Sequence, residues 1–403
     1  MKDHFKDDDF QFGLEIALGS TYRQAADAGE VLATAERIKD GDSDAWVAEW
    51  TATAGGLWAA GKDAEAAGHR LSALGYYRRA ATYYSTALYR ISGAQESEGE
   101  LDLWRRQRAC WDRVVDLMSP PGERVEIAYE DTHLPGYFFR APDAAPGEKR
   151  PLVVLNNGSD GPTSAMWVQG GAAAAERGYH WMTFDGPGQQ AALFEQGILF
   201  RPDWEAVLTP VVDAMVARED VDAERMAVIG ISQGGFWIPR ALAFEHRFAA
   251  AVADPGVVDV SSSWKDPLPG AMRKQLEQGK QEAFDREMHL VELFSHSTAA
   301  TLTFRGKPYG REKGSRFELY ETVSAYRLGD EVSQITTPLL ICDPEDEQFW
   351  PGQPQELYDR LPETATKELV PFTAAEGANR HCEPMAGAVR EARLFDWLEG
   401  YLT

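Results

Sequence analysis

Ser232 stands in a short pattern that can present a nucleophile. The pattern Gly-Ile-Ser-Gln-Gly occupies residues 230–234, between an apolar run at 226–229 and a run of helical character at 236–244. A Gly-x-Ser-x-Gly pattern between a strand and a helix forms a tight turn that presents the serine hydroxyl above a sheet. The flanking glycines avoid clashes that a Cβ would cause. We therefore interpret Ser232 as a nucleophile, the alternative being a chance pattern in a loop.

A serine hydroxyl needs a base within hydrogen-bond reach, and that base needs an orienting acid. In a sheet of this kind the acid and then the histidine follow the serine along the chain. Among the eight histidines, His381 lies in a loop after the last predicted strand and before the last predicted helix. This is the position expected of the base, so the sequence predicts His381 in that role. The alternative is a loop histidine with no role.

The acid should come from the residues that follow the predicted strand at 338–341. Asp343, Glu345 and Asp346 are the candidates there. We favour Asp346, because the turn that begins at Asp343 places it past the tip of the strand, and Asp343 is the second choice. The remaining carboxylates can cap the turn or keep it solvated.

Two backbone N–H groups are needed to stabilise an oxyanion. That of Gln233, directly after the nucleophile, is the first candidate. Ser159 is the second, because Gly158 before it permits a close approach of the backbone. Asp160, in the same loop, is predicted to contact the substrate together with Gly158. Asp185 opens a Gly- and Pro-rich turn after the next strand and could border the pocket; the alternative for both loops is an ordinary turn.

The order of elements predicts how these loops are held. Residues 1–122 have helical character, and 124–130 and 134–140 read as an antiparallel pair of strands. Short apolar runs then alternate with helical segments, which indicates an α/β fold with a mostly parallel, doubly wound sheet and helices on both faces. We expect an N-terminal helical domain at 1–122, core segments at 123–258 and 332–403, and a helical lid insertion at 259–331.

The N-terminal helices carry a stripe of large aromatic residues. Such a stripe is more often helix-packing core than a ligand cage, although part of it can line a pocket. Its members are Trp46, Trp50, Trp58, Tyr76, Tyr77, Tyr83, Tyr84 and Tyr89.

Composition limits the partners. The 403 residues include 40 Lys and Arg against 64 Asp and Glu, a formal net charge of −24. That excess disfavours nucleic acids and anionic membranes as partners. Three cysteines provide neither a disulfide framework nor metal-ligand spacing. With no apolar leader and no membrane-length run, we expect a cytoplasmic protein that acts on a small molecule. No cluster of acidic residues and histidines has metal-ligand spacing, so no metal is expected.

The pattern around Ser232, followed by Asp346 and His381, is similar to that of the α/β-hydrolase superfamily over about residues 125–403. Three short motifs at 157–161, 185–189 and 254–256, together with the helical N-terminal segment, resemble a narrower group. That group contains 2,6-dihydroxypseudooxynicotine hydrolase and fungal polyketide-shortening hydrolases of the yellowish-green pigment type. The resemblance implies cleavage of a carbon–carbon bond next to a ketone, no metal or organic cofactor, and a homodimer.

One departure from the resemblance concerns an acidic residue. The nicotine-pathway enzyme uses an additional pocket glutamate in the stretch after the strand next to the nucleophile. Residues 254–264 of this chain contain no glutamate, and Asp259 is the candidate substitute.

Three functions are consistent with these residues. The first is hydrolysis of a carbon–carbon bond in a β-diketone or polyketide-like ketone, in which Ser232, or water activated by His381, attacks the carbonyl. The second is an esterase or amidase with the same triad. The third is a non-catalytic binding protein on a hydrolase scaffold, which the complete order of serine, acid and histidine disfavours.

Overall fold

A computed structural model describes residues 3–94 and 99–403. A mixed sheet lies at the centre of this part of the chain. Its strands are β1 (Glu123–Tyr129), β2 (Thr132–Phe139), β3 (Arg150–Asn156), β4 (His180–Phe184), β5 (Val221–Ile231), β6 (Ala250–Asp254), β7 (Leu339–Pro344) and β8 (Lys367–Phe372). They are arranged in the order β1-β2-β4-β3-β5-β6-β7-β8.

Strand directions follow the predicted scheme. β1 and β2 pair antiparallel, with Tyr129 opposite Thr132 at the turn, and β2 also pairs antiparallel with β4. From β4 to β8 every neighbouring pair is parallel. The carboxyl ends of these parallel strands therefore meet at one edge of the sheet, where ligands of such sheets bind.

Helices surround the sheet and precede it. They are α1 (Asp8–Gly19), α2 (Ala28–Ala35), α3 (Ser43–Ala66), α4 (Arg70–Tyr89), α5 (Glu100–Leu117), α6 (Gly171–Glu176), α7 (Gln190–Phe194), α8 (Glu205–Val216), α9 (Gly234–Leu242), α10 (Ser262–Lys265), α11 (Gly270–Glu277), α12 (Gln281–Phe294), α13 (His296–Gly306), α14 (Arg316–Ser324), α15 (Gln353–Arg360) and α16 (Gly387–Leu402). None of the helices in the described ranges is both long and apolar enough to cross a membrane.

The central strands are apolar along their length because both faces of the sheet are covered. On β3, Leu152 and Val154 pack into one core with helices α8 and α9. Val153 and Leu155, which point the other way, pack into a second core with α16 and the N-terminal helices. Side chains alternate between the faces of a strand, so a strand covered on both sides reads as a continuous apolar run.

The N-terminal helices extend the second core. Within the aromatic stripe, Trp46, Trp50, Tyr77, Tyr83 and Tyr84 are buried and belong to the same apolar cluster as β3. The prediction that most of the stripe forms core is confirmed for these five residues. The N-terminal helices are thus packed on the same face of the sheet as α16.

Helices α10 to α14 lie between β6 and β7 in the chain. Their buried residues, among them Phe284, Leu319 and Tyr320, join the core on the α8–α9 side of the sheet. This segment interrupts the alternation of strands and helices.

Candidate active site

Ser232 lies directly after β5 and two residues before α9. Its backbone is left-handed, with φ of 57°, and its N–H donates to the carbonyl of Asp254 at 2.6 Å. A Cβ on Gly230 would collide with the carbonyl of Gly234. Left-handed backbone is costly for a residue with a side chain, so the strained turn is held by its neighbours and presents the Ser232 hydroxyl at the carboxyl edge of the sheet.

His381 belongs to the loop between β8 and α16. Its Nε2 lies 2.9 Å from the Ser232 Oγ, and the residue is only 6% exposed. The rings of Phe12, Phe349 and Trp350 surround the imidazole, with centroids at 6.4, 4.7 and 5.6 Å. An imidazole in this position can remove the proton from the serine hydroxyl, and the apolar rings limit the access of water to it.

Glu347 is the carboxylate that contacts His381. Its Oε2 and Oε1 lie 2.9 and 3.0 Å from His381 Nδ1. The N–H groups of Phe349 and Trp350 donate to Oε1 at 2.9 and 3.2 Å. The carboxylate is therefore fixed from two sides, and a continuous hydrogen-bonded chain runs from Glu347 through His381 to Ser232.

The environment of Glu347 favours its charged form. Burial alone would raise the pKa of this carboxyl. The attraction of His381, its hydrogen bond and the two backbone donors outweigh burial and lower the pKa. A carboxylate that stays ionised can stabilise the positive charge that His381 acquires when it takes a proton.

The expectation that Asp346 contacts His381 is wrong. Asp346 is exposed, and its Oδ2 accepts a hydrogen bond from Asn379 Nδ2 at 2.6 Å. The turn after β7 closes through a bond from the Glu347 N–H to the Pro344 carbonyl at 3.2 Å. This turn carries Asp346 at its solvent side and returns the chain toward His381 at Glu347.

The other two candidate acids also lie away from the imidazole. Glu345 is exposed and accepts from the Ala374 N–H at 2.7 Å. Asp343 is half-buried, and burial together with repulsion from Glu347 raises the pKa of its carboxyl. In the described residues, therefore, neither of them is paired with His381.

A sequence signal for Glu347 existed in the residues that follow it. Of the acidic residues between 343 and 347, Glu347 stands nearest to the aromatic pair Phe349 and Trp350. Aromatic neighbours indicate that the chain is returning to the interior, whereas the residues next to Pro344 belong to the turn. The longer glutamate side chain then spans the distance that an aspartate at the strand tip was expected to cover.

The loop after β3 approaches the nucleophile closely. A Cβ on Gly158 would lie 2.7 Å from the Ser232 Cβ and 3.0 Å from the Ile231 carbonyl oxygen. Within the described ranges, no hydrogen bond joins the N–H of Gln233 or of Ser159 to another backbone group. Both N–H groups are therefore without a backbone partner in these ranges, and their role as oxyanion donors stays a prediction.

Replacing Gly158 with alanine is expected to lower kcat by about 100-fold, the typical effect of disturbing one oxyanion donor. The added methyl group would push the loop away from Ser232 because neither the Ser232 Cβ nor the Ile231 carbonyl can yield easily. Gly270→Ala is the control, since a Cβ there meets nothing within 4 Å. Steady-state kinetics on one ester would measure the effect, and equal losses in both variants would contradict it.

The remaining predicted binding residues divide into two groups. Gly158, Ser159 and Asp160 line a cavity next to Ser232. Asp185 and Asp259 are not among its lining residues. Asp185 is buried in an ion pair with Arg108, and Asp259 accepts from the Ser261 hydroxyl at 2.6 Å, so the structure places both outside the cavity.

A buried group of charges that the sequence did not reveal lies beneath the nucleophile. Arg390 Nε donates to Asp254 Oδ2 at 2.6 Å and lies 3.4 Å from Glu383 Oε2. Burial and the nearby Asp254 raise the pKa of Glu383 well above its usual range. Asp254 also holds Ser232 through its backbone carbonyl. The group therefore connects the serine turn to the loop that carries His381.

The cavity above Ser232 has a volume of about 430 Å³. Three parts of the chain form its walls. The sheet loops contribute Ser232 and His381, and the α10–α14 insertion contributes Phe304 on α13 and Tyr309 in the short turn that follows α13. Helices α1 and α4 contribute Phe12 and Tyr89, among others. The N-terminal helices are thus a wall of the site as well as part of the core.

Known proteins are similar to this chain in sequence and in fold. Residues 208–306 match the Prolyl oligopeptidase family model. The curated hydrolase acrC of Aspergillus aculeatus is 34% identical over 282 residues, which are 66% of each chain. The solved 2,6-dihydroxy-pseudo-oxynicotine hydrolase superposes with a TM-score of 0.73 over 96% of this chain and 95% of that one, at 21% identity. The chain belongs to the α/β-hydrolase superfamily.

Other relatives of this α/β-hydrolase extend the likeness. Hydrolase LUC6 of a Fusarium species is 29% identical over 97% of this chain and 96% of its own length. The 20-hydroxy-prefusarin hydrolase FUS2 of Gibberella moniliformis is 33% identical, and the match covers 66% of this chain and 64% of that protein. FUS2, one of the relatives above 30% identity, is therefore covered over less than two thirds of its own length. The protein is a hydrolase, as its fold and relatives show.

Proposed function

We propose that this enzyme is a serine hydrolase that cleaves a carbon–carbon bond next to a ketone in a small molecule. The hydrogen-bonded chain from Glu347 through His381 Nε2 to Ser232 Oγ carries the proposal. It supplies nucleophile, base and orienting acid in one line. The choice of bond is supported by the resemblance of its sequence motifs to carbon–carbon hydrolases.

The geometry suggests the following steps. Ser232 Oγ attacks the carbonyl carbon as its proton passes to His381 Nε2. The N–H groups of Gln233 and Ser159 hold the oxyanion that forms. When the oxyanion collapses, the carbon–carbon bond breaks, its electron pair leaves as an enolate, and His381 returns the proton to the departing carbon. Water then attacks the acyl group on Ser232, with His381 again taking a proton, and releases a carboxylic acid.

The proposal can be tested with two substrates and one covalent probe. A fluorophosphonate should label the wild-type protein and not Ser232→Ala. The enzyme should convert 1-phenylbutane-1,3-dione and water to a carboxylic acid and a methyl ketone, detected by chromatography. Rapid turnover of p-nitrophenyl esters with no cleavage of β-diketones would instead assign an esterase. Absence of both labelling and turnover would favour a binding protein.

The expectations of a homodimer and of a cytoplasmic location stay predictions. The resemblance to the narrower hydrolase group supports the first, and the composition supports the second.

A further inference from the structure

Tyr89 is a cavity-lining residue that the reaction steps above do not use. It is the last residue of α4 and lines the cavity that contains Ser232 and His381. Within the described part of the chain, its hydroxyl makes no hydrogen bond. By contrast, Tyr83 and Tyr77 on the same helix bond to Glu30 and Glu65. Tyr89 is half-buried, and because no described residue bonds to its hydroxyl, a ligand oxygen in the cavity could accept from it.

The hydroxyl is a hydrogen-bond donor at neutral pH. Burial raises the pKa of Tyr89 above its usual range, so the phenol stays protonated. An O–H in a site shielded from bulk water gains most from an acceptor oxygen on the ligand.

The charges around Tyr89 indicate what kind of oxygen would fit. Arg90 is paired with Asp9 at 2.6 Å, and Arg380 lies 3.7 Å from Glu15. Asp160, also in the cavity wall, has no cationic partner among the described residues. Arg305, a cation of the cavity wall that stacks on Trp264, is not among the charges that act on Tyr89. A ligand carboxylate at Tyr89 would therefore meet the negative charge of Asp160, whereas a ketone, ether or hydroxyl oxygen would not be repelled.

The position of Tyr89 sets how far this oxygen lies from the reacting carbonyl. The Phe12 ring contacts both partners, with centroids 6.5 Å from Tyr89 and 6.4 Å from His381. Tyr89 and His381 thus contact the same ring, and in the described part of the chain no ring contact joins the two directly. A ligand that places its carbonyl at Ser232 would reach Tyr89 with an atom several bonds along its chain.

We propose that Tyr89 is a specificity-determining residue, whose hydroxyl binds an uncharged oxygen of the substrate several bonds from the scissile carbonyl. The inference rests on the proposed function for the placement of that carbonyl. It adds a substrate class, namely small molecules that carry a second, neutral oxygen on the acyl or leaving side. Tyr89 then discriminates through binding and leaves the proton transfers to His381.

Binding in the absence of turnover tests the proposal. The Ser232→Ala protein would be titrated with 1-phenylhexane-1,5-dione and with 1-phenylhexan-1-one, which differ only in the distal ketone, by calorimetry. The diketone is expected to bind about tenfold more tightly, which is the gain from one buried hydrogen bond. Adding Tyr89→Phe should remove most of that ratio and leave the affinity for the monoketone within about twofold.

Tyr76→Phe is the matched control. Tyr76 lies on the same helix, makes no hydrogen bond with a described residue, and does not line the cavity. This variant should retain the full ratio, and thermal unfolding should show that both variants fold. Equal affinities for the two ketones, failure of both to bind, or a ratio unchanged in Tyr89→Phe would overturn the assignment. If the fluorophosphonate failed to label the wild-type protein, the proposed function would be refuted. The result of the binding experiment would still stand.

Discussion

Glu347→Gln is expected to lower kcat by three to four orders of magnitude, about the loss known when the acid of such a triad becomes an amide. The glutamine keeps the shape and can still accept from the Phe349 and Trp350 N–H groups. It lacks the charge that stabilises protonated His381, which Glu347 contacts at 2.9 Å. Because Glu347 is 7% exposed, water cannot replace that charge. Steady-state kinetics on an ester or diketone would measure the loss.

Asp346→Asn and Asp343→Asn are the matched controls for Glu347→Gln. Asp346 bonds to Asn379 at the surface, and Asp343 does not contact His381. Both variants should keep kcat within about threefold of wild type, the range expected for changes away from the reacting groups. Should Asp346→Asn prove the most damaging of the three, the acid would be Asp346 and the arrangement of this turn would have to differ in the working enzyme.

His381→Ala is expected to have the largest effect, a loss of about six orders of magnitude in kcat. Removal of the histidine from a hydrolase triad costs about as much as removal of the whole triad. Its Nε2 is the only described base at 2.9 Å from Ser232 Oγ, and without it the hydroxyl remains a weak nucleophile. Fluorophosphonate labelling of Ser232 should be lost in parallel, which separates a chemical defect from a failure to bind substrate.

His133→Ala is the control for the histidine. His133 lies on β2 with its side chain 45% exposed, 3.9 Å from Glu126. Its removal should change neither kcat nor labelling. If His381→Ala retained activity near that of wild type, His381 would have no part in the mechanism.

The features that the sequence predicted well are those set by local pattern. The Gly230–Gly234 turn, the antiparallel pair of β1 and β2, and the alternation of strands and helices follow from residue types and periodicity. His381 could be placed because only one histidine lies in a loop between the last strand and the last helix. These elements depend on neighbouring residues in the chain, which a sequence displays directly.

The features that escaped prediction depend on how a loop turns in space. Asp346 and Glu347 are adjacent, and the hydrogen bonds of the turn, among them that from the Glu347 N–H to the Pro344 carbonyl, set which of them faces the imidazole. The buried group of Asp254, Glu383 and Arg390 joins parts of the chain that are up to 136 residues apart. A single sequence carries no signal for such a long-range pairing. The predicted strand at 226–229 was also shorter than β5, which spans Val221–Ile231 and includes polar residues before its buried part.

The three-part wall of the cavity has a consequence for how enzymes of this kind diversify. The residues proposed to perform the chemistry sit on sheet loops, where Asp254 holds the Ser232 backbone. Tyr89 and Phe304 come from α4 and α13, outside the sheet. Substitutions at those two positions would therefore change the ligand envelope and leave the sheet loops unaltered. Exchange of the whole N-terminal segment between relatives would do more, because its helices share the second core and its Phe12 contacts His381.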